Sequence, residues 1–442
     1  MAKNTYLSAS KAATNAAAYS FETKCLQVSP ASFIFESPKN LLPTNNSLSE
    51  YAETDLDVLS NINDPQLQIN DPAAEAAIEE AVSLLQNGEV VALPTETVYG
   101  LAANALSEAA VRKIYAAKNR PADNPLIVHV SSLRMLRDLL PGGRIPREYN
   151  AAIRQFWPGP LTIILPVSAL IPEVVTCGQP TVAVRFPAHP VARAVIQRCQ
   201  FPLAAPSANA SGRPSPTLAS HVLRDLSGRL PLVLDGGQCS QGIESTVLDA
   251  LRHPPAILRP GGVTFEQLCI LKGLDGLQVY RRDFVDKQLE AAPTTPGMKY
   301  RHYSPDAEVV LFEHRYPTQT KHGNANDLCL NHMDSIRSEI SRLQAEGKER
   351  IGVLRVRSGD SDPTNGYPRS GDISDSKQVI ERWLGDAEHP ETVARELFRQ
   401  LRALDEEDNV NCILVEGIPE KHAGLAVMNR LRKAASRVIY YE

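Results

Sequence analysis

Residues 71–101 read DPAAEAAIEEAVSLLQNGEVVALPTETVYGL. Asp71 can cap a helix whose first turn accepts Pro72. Apolar residues at Ala74, Ala77, Ile78, Ala81, Val82 and Leu85 recur every three or four positions, the period of an amphipathic helix. Gly88 stops that helix, and Val90-Val91-Ala92-Leu93 follows as a short buried strand. A helix feeding a buried strand, with polar turn-forming residues after it, is the unit from which α/β domains are built.

The same alternation continues outward. Ser107 to Lys118 reads as a helix capped by Ser107, and Val191 to Cys199 and Ala219 to Leu226 as further helices. Leu126–Val130, Leu161–Pro166, Val182–Arg185, Leu203–Ala205, Leu232–Leu234, Thr246–Leu248 and Ala256–Leu258 read as strands. Together they predict an α/β domain over 71–272. Residues 273–305 form a linker rich in turn signals, notably Pro293-Thr294-Thr295-Pro296-Gly297. A second strand–helix alternation fills 306–442, with strands at Glu308–Phe312, Ile351–Val356, Cys412–Val415 and Val438–Tyr441. Helices at Met333–Glu346, Glu391–Leu404 and Leu425–Ser436 leave room for crossovers, which implies a smaller, mainly parallel, Rossmann-like sheet. Its loop at 358–376 is rich in Ser, Gly and Asp. It has no GxGxxG, so the pattern supplies no dinucleotide site.

Residues 1–70 differ: they hold no Arg, four Lys, seven acids and no sustained period, the signature of a disordered extension. The first 21 residues carry two Lys and no acid, like a transit peptide, but the lack of Arg argues against one. The expectation is a cytoplasmic protein, with an additional mitochondrial pool as the alternative. The 442 residues carry a net charge of −5, which disfavours bulk binding of polyanions but permits a local basic patch. Seven scattered cysteines with no CxxC suggest a reducing compartment rather than a disulfide framework or zinc site. The longest apolar stretch, Leu161 to Val175, is broken by Pro166, Ser168 and Pro172, so no membrane span is expected.

No GxxxxGK[ST], HExxH, GxSxG or kinase signature occurs. Five polar loops placed just after strands remain. Leu93-Pro94-Thr95-Glu96-Thr97-Val98-Tyr99-Gly100 can be a strand-to-helix turn or a pocket wall. Lys118-Asn119-Arg120-Pro121-Ala122-Asp123-Asn124-Pro125 can offset a helix dipole or neutralise a triphosphate. Arg185 ends an apolar strand, where a buried guanidinium requires an anion, either a structural carboxylate or a ligand. Ala205 to Thr217 is a loop of small residues that lets backbone approach a ligand. Asp235-Gly236-Gly237, Gly242 to Val247 and Leu258-Arg259-Pro260-Gly261 complete the set. Five such loops holding Lys118, Arg120, Arg185 and Arg259 make a basic pocket in an acidic chain, suited to a small anionic ligand.

The strings PTETVYGL, KNRPADNPLIVHV, TVAVRFP, APSANASGRPSPT, GIESTV and LRPG, in this order, resemble the threonylcarbamoyl-AMP synthase family, with its YrdC-like catalytic domain. PGMKYRHYSP at 296–305 and GLAVMNRL at 424–431 resemble its two-domain form. The resemblance implies a twisted mixed sheet followed by a smaller Rossmann-like domain. It implies that L-threonine, bicarbonate and ATP, with Mg2+ bridging the phosphates, give threonylcarbamoyl-AMP and pyrophosphate. The product is passed to a separate transferase complex that modifies tRNA beside the anticodon. It further implies a KxR…SxN set of Lys118, Arg120, Ser207 and Asn209 around the nucleotide. Asn124, Thr181, Ser215 and Arg259 would be further ATP contacts, and Thr97, His129, Arg185, Ala205 and Ser245 contacts to threonine. His302 and Tyr303 would fold over the nucleotide as a lid. The alternative function is a non-catalytic RNA-binding module, which the net charge disfavours.

Overall fold

A computed structural model describes residues 21–36, 66–291, 293–298, 302–314, 325–357 and 378–441. The helix Pro72–Gln86 starts where the sequence places it: the Asp71 carboxylate accepts from Ala73 N at 2.9 Å. Val91–Leu93 follows as a strand buried at every position.

The strands of the first domain, in chain order, are β1 (Lys24–Gln27), β2 (Phe33–Glu36), β3 (Gln66–Ile69), β4 (Val91–Leu93), β5 (Gly100–Asn104), β6 (Ile127–His129), β7 (Leu161–Pro166), β8 (Thr181–Arg185), β9 (Leu203–Ala204), β10 (Leu232–Asp235), β11 (Thr246–Asp249), β12 (Ala256–Arg259) and β13 (Gln278–Val279). Eleven of them form one mixed sheet, ordered β1-β10-β4-β5-β9-β6-β8-β7-β11-β12-β13, while β2 and β3 pair separately. Helices Pro72–Gln86 and Pro190–Cys199 cover one face, with Ile78, Leu85, Val195 and Leu234 in the packing. Leu101, Ile114, Val128, Val184 and Leu248 belong to a second apolar cluster, and Ile127, Ile164, Ala183 and Val247 to a third.

The second domain is an all-parallel sheet of β14 (Glu308–His314), β15 (Ile351–Arg357), β16 (Val379–Asp386), β17 (Cys412–Glu416) and β18 (Arg437–Tyr441), ordered β16-β15-β17-β14-β18. Its core on one face, built on Leu311, Leu354, Leu397, Phe398 and Val427, also takes in Val98, Ile243 and Tyr303. Residues from the first domain's loops and from the linker are thus part of the second domain's core.

Four expectations change. Residues 21–36 and 66–70 are not part of a disordered extension: β1 pairs in parallel with β10 and joins the main sheet. Its short Lys-Cys-Leu-Gln run is held by backbone pairing at a sheet edge, so apolar periodicity does not reveal it. Residues 1–20 and 37–65 of the predicted extension lie outside the described residues, as do 299–301 of the linker and the predicted loop at 358–376. The segment 94–99 is a strand-to-strand connection rather than a strand-to-helix turn, because Leu93 pairs antiparallel with Gly100. The linker's beginning belongs to the first domain, since β13 extends the sheet beside β12. Val379–Asp386 is an edge strand whose Glu381-Arg382-Trp383 interrupts the apolar pattern that would have marked it.

Candidate active site

One cavity brings together ten of the fifteen predicted site residues: Thr97, Arg120, His129, Arg185, Ala205, Ser207, Ser245, Arg259, His302 and Tyr303. Its walls come from the 94–99 connection, β6, the end of β8, the segment after β9, the segment before β11, the end of β12 and the linker.

The parallel pairing of β6 and β8 sets His129 directly beside Arg185. Arg185 donates from NH1 to Thr97 Oγ1 at 2.7 Å and from Nε to the carbonyl of Gly159 at 3.2 Å. Its NH2 lies 2.7 Å from Glu96 Oε1, an off-axis contact in which neither atom makes an aligned hydrogen bond. Burial alone would raise the Glu96 carboxyl, but the Arg185 guanidinium holds it below the usual carboxylate range. Of the anions open to Arg185, a structural carboxylate is therefore present, and NH2 keeps donor capacity. Thr95 shapes the connection: its hydroxyl donates to Val98 O at 2.6 Å and accepts from Thr97 N at 3.2 Å. His129 Nδ1 lies 3.2 Å from Ile127 O. Burial, with Arg185 adding to it, pushes the His129 imidazole down to about 3, so it is neutral at physiological pH. A neutral ring whose Nδ1 donates to a carbonyl leaves Nε2 as an acceptor.

The helix Glu108–Lys118 ends at Asn119 in the left-handed region, with φ 50°. That turn separates the two basic residues. Arg120 faces the cavity, its Nε donating to Asn124 O at 3.2 Å and NH2 to Pro125 O at 3.1 Å. Lys118 is buried instead behind the loop, its ammonium donating to the carbonyls of Ser207 and Asn209. Burial holds its pKa well below the ordinary lysine range, with the charges of Arg120 and Arg402 adding to this. Asn209 is buried too, its Nδ2 donating to Ala210 O at 2.8 Å and Arg213 O at 3.0 Å. Ser207 lines the cavity, whereas Lys118 and Asn209 hold the loop that presents it.

Opposite this loop, Arg259 donates from Nε and NH2 to Ser245 O at 3.2 and 2.9 Å, and from NH1 to Pro296 O at 3.0 Å. Ser245 Oγ lies 2.7 Å from Thr162 Oγ1. Gly297, at φ +84°, admits no side chain, because a Cβ there would lie 2.9 Å from the Tyr303 hydroxyl and 3.1 Å from Arg259 Cδ. Two points of the linker, Gly297 and His302, meet at one residue of the second domain. Lys433 donates from its ammonium to Gly297 O, and its carbonyl accepts from His302 N at 3.1 Å. Tyr303 is buried against Phe398, with ring centroids 5.2 Å apart. His302 is pushed down to about 3, first by burial and then by Arg120, Lys433 and Lys118.

Thr181 and Asn124 do not reach the cavity wall. Thr181 opens the strand that Arg185 closes, and the Asn124 carbonyl is taken by Arg120 and Tyr115. Ser215 also lies off the wall, its hydroxyl donating to Glu244 Oε1 at 2.5 Å. Glu244 was not singled out by sequence reasoning, yet it lines the cavity. It is held by Arg430 of the second domain at 3.0 and 2.9 Å. Burial alone would raise Glu244, but Arg430 and Arg259 bring it down to about 2. The sequence signal for Arg430 was its register. It follows Ala426 and Val427 by four and three residues, so it shares their buried face on Gly424–Ala434.

Among the described residues, no group of three or more His, Cys, Asp and Glu could hold a metal ion. Nor is any helix among them long and apolar enough to cross a membrane.

Residues 83–261 match the Sua5, YciO and YrdC family model, described as telomere recombination. Residues 263–436 match the model described as threonylcarbamoyl-AMP synthase, C-terminal domain. The threonylcarbamoyl-AMP synthase of Pyrococcus abyssi is 42% identical over 372 residues, which cover 84% of this chain and 97% of that protein. The Schizosaccharomyces pombe threonylcarbamoyl-AMP synthase is 41% identical over 440 residues, 94% of this chain and 98% of its own. The crystal structure of P. abyssi Sua5 complexed with L-threonine aligns at a TM-score of 0.68 and 41% identity, covering 83% of this chain and 96% of that one. Both domains are matched, and the relatives are spanned almost end to end. The chain therefore belongs to the threonylcarbamoyl-AMP synthase family, in its two-domain form.

Proposed function

We propose that this cavity condenses L-threonine, bicarbonate and ATP into threonylcarbamoyl-AMP, releasing pyrophosphate and water. The observation that carries the reading is the convergence of the Arg120, Arg185 and Arg259 guanidiniums with a neutral histidine in one cavity. Two anions, a carbamate and a triphosphate, must meet there, and fixed positive charge screens their repulsion without reorganising. The threonine amine attacks the carbon of bicarbonate, and water leaves with formation of a carbamate. A carbamate oxygen then attacks the α-phosphorus, and pyrophosphate departs. Positioning supplies most of the rate in such a scheme, and no covalent protein nucleophile is required.

Arg185 takes the threonine carboxylate with its under-used NH2, while Thr97, Ala205 and Ser245 close the amino-acid side. His129 Nε2 accepts from the threonine ammonium or hydroxyl. Arg120, Ser207 and Arg259 face the nucleotide, and Lys118, Asn209 and Ser215 act through the loop. Asn124 and Thr181 would contact ATP only if the nucleotide extends beyond the cavity. His302 and Tyr303 cover the reaction from the linker side, limiting hydrolysis of a labile acyl-adenylate. Mg2+ would be held through the triphosphate and would supply charge neutralisation there, beside Arg120 and Arg259. The adenylate is then consumed by a separate transferase acting on tRNA. The cytoplasm is where such a transferase would meet the product.

Pyrophosphate release by the full chain with ATP, Mg2+, threonine and bicarbonate tests the reading. Release that ignores omission of threonine or bicarbonate would sink it. Salt-sensitive RNA binding without turnover would favour the RNA-binding alternative.

A further inference from the structure

Among the described residues, two of the largest fully buried side chains are Arg402 and Arg430, and both belong to the second domain. Each projects from a helix of that domain into the first. Arg402, at the end of Pro390–Arg402, donates from Nε and NH2 to the carbonyl of Pro214 at 3.1 and 2.6 Å. It also contacts Asp225 through NH1 at 3.2 Å and NH2 at 2.7 Å. Asp225 in turn accepts from Ala210 N at 3.1 Å. Arg430 grips Glu244 and the carbonyl of Pro260, and Glu244 accepts from Ser215 Oγ. The loop that begins at Ser207 is therefore tied at Ala210, Pro214 and Ser215, in each case through an arginine of the other domain. A buried ion pair adds little stability over a well-packed apolar pair, so two of them converging on one loop suit placement better than cohesion.

We infer that Arg402 and Arg430 are positioning residues for the nucleotide: the second domain braces the Ser207–Ser215 loop and the Glu244 wall, and thereby sets the affinity of the site for ATP. This rests on the synthase reading for the identity of the nucleotide. It adds a role for the second domain that the cavity residues alone do not disclose.

The test uses full-length Arg402→Lys, Arg430→Lys and Asp225→Asn, with Arg402→Met and Arg430→Met as the stronger changes. Lysine keeps the charge but loses the planar fork that reaches two partners. Threonine-dependent pyrophosphate release should show an ATP KM raised by about tenfold or more, with threonine KM within about twofold of the parent. Arg402→Lys combined with Asp225→Asn should cost less than the sum of the two single changes, because both act through the same ties. A lower kcat with both KM values unchanged would mean only a smaller folded fraction, and would overturn the inference. So would an unchanged ATP KM. Should a methionine variant fail to fold, the lysine variants and Asp225→Asn decide. ATP titration of each folded variant separates the two claims. A parent chain that binds ATP without turnover defeats the synthase reading, while weaker ATP binding in the variants still supports the brace.

Discussion

Glu96 lies 2.7 Å from Arg185, and both side chains are buried, so the residue best suited to a substrate carboxylate already carries a protein carboxylate on its flank. The pair is neutral overall, with a guanidinium aimed by Glu96, Thr97 and Gly159 into the cavity. Glu96→Gln removes the counter-charge while keeping the shape. We expect threonine KM to rise by about tenfold or more, because Arg185 loses the buried charge contact that aims it. The melting temperature should fall as well, because a buried charge loses its partner. Steady-state kinetics in threonine check this, and an unchanged threonine KM counts against the aiming role.

Lys118 and Arg120 are two residues apart but serve different ends. Lys118→Met leaves the carbonyls of Ser207 and Asn209 without their buried donor. A cost of about 1–3 kcal/mol in stability is expected for a buried group left unsatisfied. Arg120→Ala should cut turnover and also loosen residues 120–125, because its guanidinium ties Asn124 O and Pro125 O. Denaturant midpoints and initial rates measured together separate the two. A Lys118→Met protein with parental stability would show that the loop does not depend on its ammonium.

The protein should lose stability in mild acid. His129, His221 and His302 are pushed down to about 3 and His189 to about 4, in each case mainly by burial. In the unfolded chain these rings take up protons near pH 6.5. Below that pH the unfolded state binds protons that the folded state refuses, so stability falls as pH drops from about 6.5 towards 4. Glu96 and Glu244, held below their ordinary range, add to the loss below about pH 4.5. Urea midpoints at pH 7, 6 and 5 should decline. Removing one of these histidines should flatten the slope by up to ~1.4 kcal/mol per pH unit. A midpoint independent of pH over that range is the contrary result.

His302→Ala should leave the linker seated, because His302 meets Lys433 through its backbone N–H and Tyr303 keeps its packing on Phe398. What changes is the cover over the cavity. The variant should yield less intact acyl-adenylate per pyrophosphate released, measured by chromatography of the quenched reaction. Parental product yield would show that the imidazole covers nothing that matters to the product.

Local rules carried much of the fold. Asp71, Pro72 and Gly88 delimited the first helix, and short apolar runs located most of the buried strands, because caps and periodicity act over one or two turns. β1, β13 and β16 escaped because edge strands are held by pairing rather than by an apolar face, and the central β5 escaped because its Gly-Leu-Ala-Ala-Asn run is mostly small residues. The cavity was also largely legible: six strings supplied its walls, and ten of fifteen chosen residues line it. What a string cannot state is which neighbour a side chain meets. Lys118 and Arg120 looked equivalent until the left-handed turn at Asn119 sent one behind the loop and the other into the cavity. Arg402 and Arg430 were readable as arginines on the apolar faces of their helices, following Phe398 by four residues and Val427 by three. Their partners, Pro214, Asp225 and Glu244, lie 188, 177 and 186 residues away. Helix periodicity determines that a charge is buried, and only the docking of the two domains decides which opposite charge makes that burial possible.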